Sequence, residues 1–402
     1  MTDRTIPARV LIVVENLSVP TDRRVWKEAV TLTRLGYSVA VVSPTGEMRD
    51  TGRYEAREGI EIHRYSPREA GGGPWGYLVE FGWALLSIRR LIRRLERDEP
   101  FDVIQLCNPP DVLFLAVGRA RRRGTRIVFD HHDLVPELYE ARFGRRGGLL
   151  YGLAARAERS TMRFAHVVIS PNETYRSLAI ERGGKSPDDV FVVRMAPDPS
   201  HFRRVEPAET LKRGKQYLLG YAGTIGPQDG VDHALRALRL LADSRDDWHA
   251  IFAGSGDAVE AMRALSAELG LEDRVEFVGF VEEEELIGLL STADVCLAPE
   301  PKNALNDAST MIKVVEYMGL GRPIVAYDLR ETRFSAGEAA LYAVPNDEAS
   351  FAACIDRLLD DPALRDRMAE EGRRRVTREL AWEHSERALA AAYARALAER
   401  PG

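Results

Sequence analysis

Cysteine is scarce in this 402-residue chain: there are three, Cys107, Cys296 and Cys354. They are scattered, odd in number and lack CxxC spacing, which argues against a disulfide framework and against a zinc site. Long hydrophobic runs are missing as well. The N-terminal MTDRTIPARVLIVVEN carries only a five-residue apolar run, Val10 to Val14, too short for the core of a signal peptide. No stretch approaches the ~20 apolar residues that a membrane-spanning helix needs. Neither a short repeat nor a low-complexity tract is visible, and no nucleic-acid recognition motif accompanies the net charge of −6. These absences predict a cytoplasmic protein with no nucleic-acid partner.

What is present is an ordinary globular composition, with 45% hydrophobic and 29% charged residues, and a length that exceeds one hydrophobic core. Two domains are expected. Charge is divided unevenly: residues 1–195 carry +6 and the remainder −12. Such asymmetry fits two domains with different partners, or a plain drift in surface charge.

Short β-branched runs alternate with longer helical patterns. In the first part they are RVLIVVEN, YSVAVVSP, IEIHRY, FDVIQLC, RIVFDHH, HVVIS and VFVVRM. Runs that are apolar throughout, separated by amphipathic helices, predict a parallel sheet covered on both faces, a doubly wound α/β domain over 1–195. The charged, proline-rich segment 196–215 reads as a linker. A second series, YLLGYAG, HAIFAG, RVEFVGF, VCLAPE, PIVAYD and ALYAV, predicts another Rossmann-like domain over 216–380. The last segment, 381–402, is a helix with Trp382, Leu389, Tyr393 and Leu397 on one stripe. It packs either on its own domain or back on the first.

Open α/β sheets bind ligands beyond the carboxyl ends of their strands, so the loops there are the candidate sites. YAGTIGPQDG leaves a strand through Gly223 and Gly226 and enters a helix near Asp229; IFAGSGD repeats the pattern with Gly254 and Gly256. Glycines at such junctions bring backbone N–H groups and a helix dipole to a phosphate, or serve packing alone. A third stretch, NALNDASTMIKVVEYMGLGRPIVAYDL, sets Lys313 and Glu316 in an apolar helix pattern expected to begin near Ser309, with Asn306, Asp307 or Ser309 as its cap. A carboxylate among Val314, Val315 and Met318 needs a partner, either ribose hydroxyls or Lys313 at the i, i+3 spacing.

The run KVVEYMGLGRPIVA, preceded in order by FAGSGD, VEFVGFV and ADVCLAPE, resembles the donor domain of the family 4 retaining glycosyltransferases. RVLIVVENLSVPTDRRVWKEAVTLTRLGYSVAVVSP and VFDHHDLVPELY look like their acceptor domain, so the resemblance spans almost the whole chain. It implies the GT-B fold, two Rossmann-like domains facing a cleft, with the Trp-led helix crossing back. It implies a nucleotide-sugar co-substrate and a donor site of Gly223, Thr224, Gly226, Gly254, Phe280, Ser309, Thr310 and Glu316, where Glu316 is similar to the glutamate that binds the ribose. Two positions depart from the pattern. The first glutamate of the family's pair falls at Ala308, beside Asp307, and the Arg and Lys that clamp the diphosphate fall at Thr224 and Asp229. Lys313 is the expected substitute clamp, the rival being a structural pair with Glu316.

The same resemblance makes His132 the histidine near the transferred sugar, so His132, Lys313 and Asp307 are the expected catalytic residues. Asn16, Arg23, Arg24 and Asp133 are the expected acceptor contacts; the two arginines start a helix and suit an anionic acceptor or plain solvation. Segment 73–97 mixes Trp75, Tyr77, Phe81 and Trp83 with Arg89, Arg90, Arg93 and Arg94, with ARRRG and RFGRR elsewhere. It suits an anionic membrane surface, or a buried crossover helix with a basic tail. The function implied is sugar transfer from a nucleotide sugar to a hydroxyl of a saccharide or lipid-linked saccharide, in polysaccharide or glycoconjugate synthesis, by an enzyme peripheral to the inner membrane face. No metal and no other cofactor is expected. A non-catalytic nucleotide-sugar binder and an epimerase of similar architecture are the rival classes.

Overall fold

The computed structural model describes residues 7–46, 49–68, 74–97, 99–143, 148–196 and 202–398. The side chains of Trp75 and Tyr77, residues 144–146 of RFGRR and 197–201 of the expected linker lie outside the described residues. Two compact units divide the chain: the first runs to Arg194, apart from a short stretch after Glu140, and takes in the terminal segment from Ser385; the second runs from Met195 to His384.

The first unit is built on strands β1 (Arg9–Val13), β2 (Ser38–Pro44), β3 (Tyr54–Arg57), β4 (Ile60–Tyr65), β5 (Val103–Cys107), β6 (Arg126–Asp130), β7 (Val167–Ser170) and β8 (Val190–Val192). Their spatial order is β3-β4-β2-β1-β5-β6-β7-β8. All neighbours pair in parallel except β3 with β4. The apolar runs explain the parallel core, because a strand covered on both faces has no polar side to show. The edge strand β3, YEAR, has no such run and was invisible to the pattern. It is set by its turn, where Glu58 and Gly59 take φ of 52° and 80°, the positive values that a two-residue hairpin requires.

The terminal helix Trp382–Leu397 buries Leu389, Ala392, Tyr393 and Ala396. Within the first unit, the Ser385 hydroxyl donates to the Arg194 carbonyl at 2.7 Å, Arg395 meets Asp189 at 2.9 Å, and the Tyr393 and Tyr37 rings lie 5.6 Å apart. From Ser385 onward, therefore, this helix is part of the first unit.

The second unit has β9 (Tyr217–Ala222), β10 (Trp248–Ala253), β11 (Val275–Gly279), β12 (Val295–Ala298), β13 (Ile324–Tyr327) and β14 (Ala340–Ala343), in the all-parallel order β11-β10-β9-β12-β13-β14. The order reverses between β9 and β12, and between β1 and β5 in the first unit. Crevices at such reversals, at the strands' carboxyl ends, are where doubly wound sheets take ligands. Helix Ile312–Gly319 is pinned to this reversal: the Tyr317 hydroxyl accepts from the Ala222 N–H at 2.8 Å and donates to the Leu297 carbonyl at 3.3 Å.

Candidate active site

In the second unit the glycine turns are already engaged with each other. The Gly223 N–H donates to the Ala253 carbonyl at 3.0 Å, the Gly254 N–H to the Gly279 carbonyl at 2.8 Å, and the Gly226 N–H to Asp229 Oδ2 at 2.9 Å. Close packing holds at one of them: a Cβ on Gly254, whose φ is +149°, would overlap the Gly223 carbonyl. The helix expected near Asp229 begins at Val231, behind Gly230. Burial pushes the Asp229 carboxyl up to about 6. Thr224 is exposed, and its carbonyl accepts from the Tyr221 hydroxyl at 2.6 Å.

The cation at this reversal is Lys313. Its ammonium lies 2.5 Å from Glu300 Oε1, 2.9 Å from the Tyr221 hydroxyl and 4.2 Å from the centre of that ring. A Cβ on Gly223 would stand 2.8 Å from Lys313 Cε and 2.9 Å from its Nζ, so only glycine leaves the ammonium beside the turn. Burial alone would pull the Lys313 pKa down, but Glu300 reverses this and lifts it above its ordinary value. The group stays protonated. Glu300 is 2% exposed and had no place in the sequence reading; its signal was an acid directly after a strand, in VCLAPE.

The helix carrying Lys313 starts later than expected. Asn303 caps a short helix, Ala304–Ala308, by accepting from the Asn306 N–H at 2.9 Å. Ser309 ends that turn, its hydroxyl donating to the Leu305 carbonyl at 2.8 Å. Helix Ile312–Gly319 then begins behind Met311 without a side-chain cap. The expected capping by Asn306, Asp307 or Ser309 does not occur, because these residues form a turn of their own. Asp307 Oδ1 accepts from the Arg330 N–H at 2.9 Å, with Lys302 at 3.7 Å. Glu316 is half-buried on the same helix, Thr310 half-buried just before it, and Phe280 is 65% exposed past β11.

The first unit gathers His132, Asp133 and Arg24 near the carboxyl end of β6. Asp22 caps helix Arg23–Arg34 by accepting from the N–H groups of Arg24 and Val25. This turns Arg24 inward, where Nε and Nη2 donate to Asp130 at 3.0 and 2.7 Å and Nη1 to the Val193 carbonyl at 2.9 Å. The expectation that Arg24 waits for an anionic acceptor is therefore corrected: a buried carboxylate holds it. Arg23, one residue earlier, is exposed, as is Asn16 three residues past β1.

His132 Nε2 lies 2.5 Å from Asp130 Oδ2, with the Cys107 sulfur within 4.8 Å. The His132 N–H donates to Asn108 Oδ1 at 2.7 Å and the Asp133 N–H to the same oxygen at 3.2 Å. Burial works against charge on His132, but Asp130 outweighs it and the imidazole pKa rises well above its ordinary value. Asp130 moves the other way: burial opposes its ionisation, and Arg24 and His132 overcome it. Behind them Gln105 Nε2 donates to Glu28 Oε2 at 2.6 Å and Gln105 Oε1 accepts from the Tyr393 hydroxyl at 2.7 Å. Burial, then Asp130, raises Glu28. Cys107, Asp130 and His132 bring potential metal-ligating atoms within 4.8 Å of one another, but both oxygens of Asp130 already receive Arg24. Asp130, Glu28 and Gln105 were missed in the sequence because a charged residue inside an apolar strand or helix pattern does not reveal its partner.

Comparison with known proteins bears on the fold and the class of protein. Residues 202–375 match the family described as Glycosyl transferases group 1, and residues 21–196 match the Glycosyl transferase 4-like domain. Between them the two glycosyltransferase models take in most of the chain. It is 28% identical over 293 residues to 2-deoxystreptamine glucosyltransferase of Streptomyces kanamyceticus, an alignment covering 70% of this chain and 74% of that protein. Among solved structures, sucrose-phosphate synthase from Thermosynechococcus elongatus superimposes with a TM-score of 0.78 at 18% identity, covering 96% of this chain and 98% of the other. Anabaena HepE in complex with UDP-glucose gives 0.73 at 17%, covering 96% and 99%. The fold is GT-B, and the chain is a glycosyltransferase.

Proposed function

We propose that this enzyme moves a sugar from a nucleotide sugar, held by the second unit, to a hydroxyl of a saccharide or lipid-linked saccharide held by the first, with retention at the anomeric carbon and without a metal ion. The observation that carries the reading is Lys313, an ammonium fixed by Glu300 and Tyr221 beside the Gly223 turn. In the reaction the bond from the anomeric carbon to the diphosphate oxygen breaks, the acceptor oxygen joins the same face of that carbon, and the hydroxyl proton passes to the departing diphosphate. Charge grows on the leaving group, and a preorganised cation stabilises it most at that moment. Lys313 supplies this cation where Thr224 and Asp229 do not.

Glu316 takes the ribose hydroxyls, Phe280 offers an exposed ring face to the donor, and Ser309 and Thr310 line the approach. Asp307 reaches sugar hydroxyls on releasing Arg330. His132 acts as a fixed positive charge, since Asp130 engages its ring. Asn16, Arg23 and Asp133 stand on the acceptor side. Metal independence is supported by the acids at the β9–β12 reversal: Glu300 serves Lys313 and Asp229 serves the Gly226 N–H. The test is thermal unfolding against a panel of nucleotide sugars, followed by turnover with and without EDTA. A ligand at about 100 times its dissociation constant adds ~2.7 kcal/mol of stability. One nucleotide sugar should protect, and its transfer should survive EDTA; metal-restored turnover would contradict metal independence.

A setting at the inner membrane face, in polysaccharide or glycoconjugate synthesis, is supported by helix Pro74–Leu95. It buries Ala84, Ile88 and Ile92 in the first unit while Arg89, Arg90, Arg93 and Arg94 stay exposed. Leu149, Leu150 and Leu153 are exposed on helix Leu149–Phe164. Among the described residues no helix is long and apolar enough to cross a membrane.

A further inference from the structure

At the amino ends of β12 and β13, the far end of the second sheet from Lys313, a buried arginine has half of its donors unmet. Arg322 comes just before β13 and is 7% exposed. Its Nη1 donates to the Ala293 carbonyl at 2.8 Å, at the end of helix Glu283–Thr292. Its Nε and Nη2 are buried and have no hydrogen-bond partner. These two atoms form the edge of a guanidinium whose parallel N–H groups meet two oxygens of one oxyanion. A charged donor left unmet in the interior is costly. Two further arginines stand nearby. A Cβ on Gly321, at φ +63°, would collide with the guanidinium of Arg373 from helix Pro362–Arg378, so that group lies against the residue before Arg322. Arg204 precedes Val205, whose N–H donates to the Ser291 hydroxyl at 3.1 Å, two residues before Ala293. Both are exposed. Among the described residues no carboxylate forms an ion pair with any of the three; Asp294 accepts instead from the Leu218 N–H at 2.9 Å, with the Lys212 ammonium at 3.5 Å.

We infer that Arg322, Arg204 and Arg373 form a second anion site, which takes a phosphate group away from the place where sugar is transferred. Arg322 is the fixed element, because its bond to Ala293 holds the guanidinium with the Nε and Nη2 edge free. A phosphate gives that edge two oxygens and keeps others for Arg204 and Arg373. A carboxylate has only two oxygens and one charge, so it fills the edge and leaves the two surface arginines unanswered. Chloride cannot bridge two parallel N–H groups in this way. In keeping with the lack of a counter-ion, burial, followed by the charge of Arg204, pulls the Arg322 pKa down to about 10. The long surface side chains of Arg204 and Arg373 cover the edge and swing aside to admit the anion. Lys313 stands at the carboxyl ends of the strands and Arg322 at the amino ends, so the occupant is a phosphate other than the diphosphate of the donor. Its source is a soluble phosphate or phosphate ester, or a lipid headgroup with the same chemistry.

The test titrates the whole chain with inorganic phosphate in a calorimeter, at an ionic strength held constant with chloride. Wild type should bind phosphate saturably and melt at a higher temperature in its presence. Arg322→Gln should weaken binding by about tenfold or more, the usual effect of losing charge-assisted bonds. Arg204→Gln and Arg373→Gln should each weaken it by roughly two- to fivefold, as exposed charges do. Lys313→Ala should keep the binding that depends on Arg322. Melting temperatures confirm that the variants are folded, and the double variant Arg204→Gln, Arg373→Gln replaces Arg322→Gln if the latter is not. Flotation of wild type and Arg322→Gln with vesicles containing phosphatidic acid separates the sources. Binding of phosphate ions that depends on Arg322 assigns the site to a soluble phosphate, and flotation that depends on Arg322 without such binding assigns it to a lipid headgroup. Phosphate binding and flotation that are both the same in wild type and Arg322→Gln, or absent from both, would overturn the inference.

Discussion

Arg24 and Lys313 are buried cations with opposite consequences for chemistry. Arg24 is held through two bonds by Asp130 and a third by the Val193 carbonyl, so it shapes the first unit from inside. Asp130 also holds His132, and a carboxylate serving two buried cations cannot be neutralised cheaply. Asp130→Asn should therefore destabilise the protein by about 3 kcal/mol or more, because removing one partner of a buried pair leaves the other uncompensated. Urea unfolding at pH 7 measures this, and a loss below ~1 kcal/mol would show that the network is dispensable. The pH dependence has a definite sign. The folded-state pKa of Asp130 lies below its ordinary value, so its contribution is present above the usual carboxylate range and is lost as pH falls through the folded value. Glu15 behaves oppositely. Its pKa is raised to about 7, so its favourable contribution is full below its unfolded value and disappears as pH rises through neutrality. Glu15→Gln should accordingly stabilise the protein at pH 8 relative to wild type and change it little at pH 4. Unfolding curves at the two pH values check this; equal effects at both would contradict it. At this scale the sequence was legible where a charged residue broke an apolar pattern, as at Lys313 and Glu316. It was silent on Glu300 and Asp130, whose partners lie on other strands.

Elements were read best where burial imposes a simple pattern. Every strand with an apolar run was visible, and the missed strand, β3, is the polar one fixed by a hairpin turn rather than by burial. Capping was read less well. Asn303 starts an extra turn before the helix that carries Lys313, because Asn, Asp and Ser serve equally as caps and as turn residues. The glycine turns show the same ambiguity. FAGSGD suggested either phosphate cradling or close packing, and Gly254 lies against the Gly223 carbonyl at φ +149°. Gly254→Ala should therefore cost more than ~1 kcal/mol, since alanine at positive φ is strained even before the overlap is counted. A melting temperature within a degree of wild type would refute that packing role.

For the whole molecule, the sequence indicated two α/β domains and a last helix with two possible homes. Tyr393, reaching Gln105 at 2.7 Å, shows why the helix belongs with the first unit: its partner is a polar residue inside β5, which no periodicity reveals. The charge division of +6 and −12 also acquires meaning at this scale. If the exposed arginines of helix Pro74–Leu95 meet anionic lipid, each contributes about 1 kcal/mol and salt weakens the attachment. Vesicle flotation should show binding at low salt and release at high salt; absence at both would reject a membrane surface. On the proposed reading the acidic second unit needs a cation for a diphosphate, and Lys313 is fixed at the strand-order reversal by Glu300 and Tyr221. The most direct test of the account is turnover of Lys313→Ala with the protecting nucleotide sugar, with melting temperature recorded on the same preparation. The account predicts a folded protein whose kcat falls by ~10² to 10³, the usual effect of losing a transition-state electrostatic donor. A destabilised protein with wild-type kcat would contradict it.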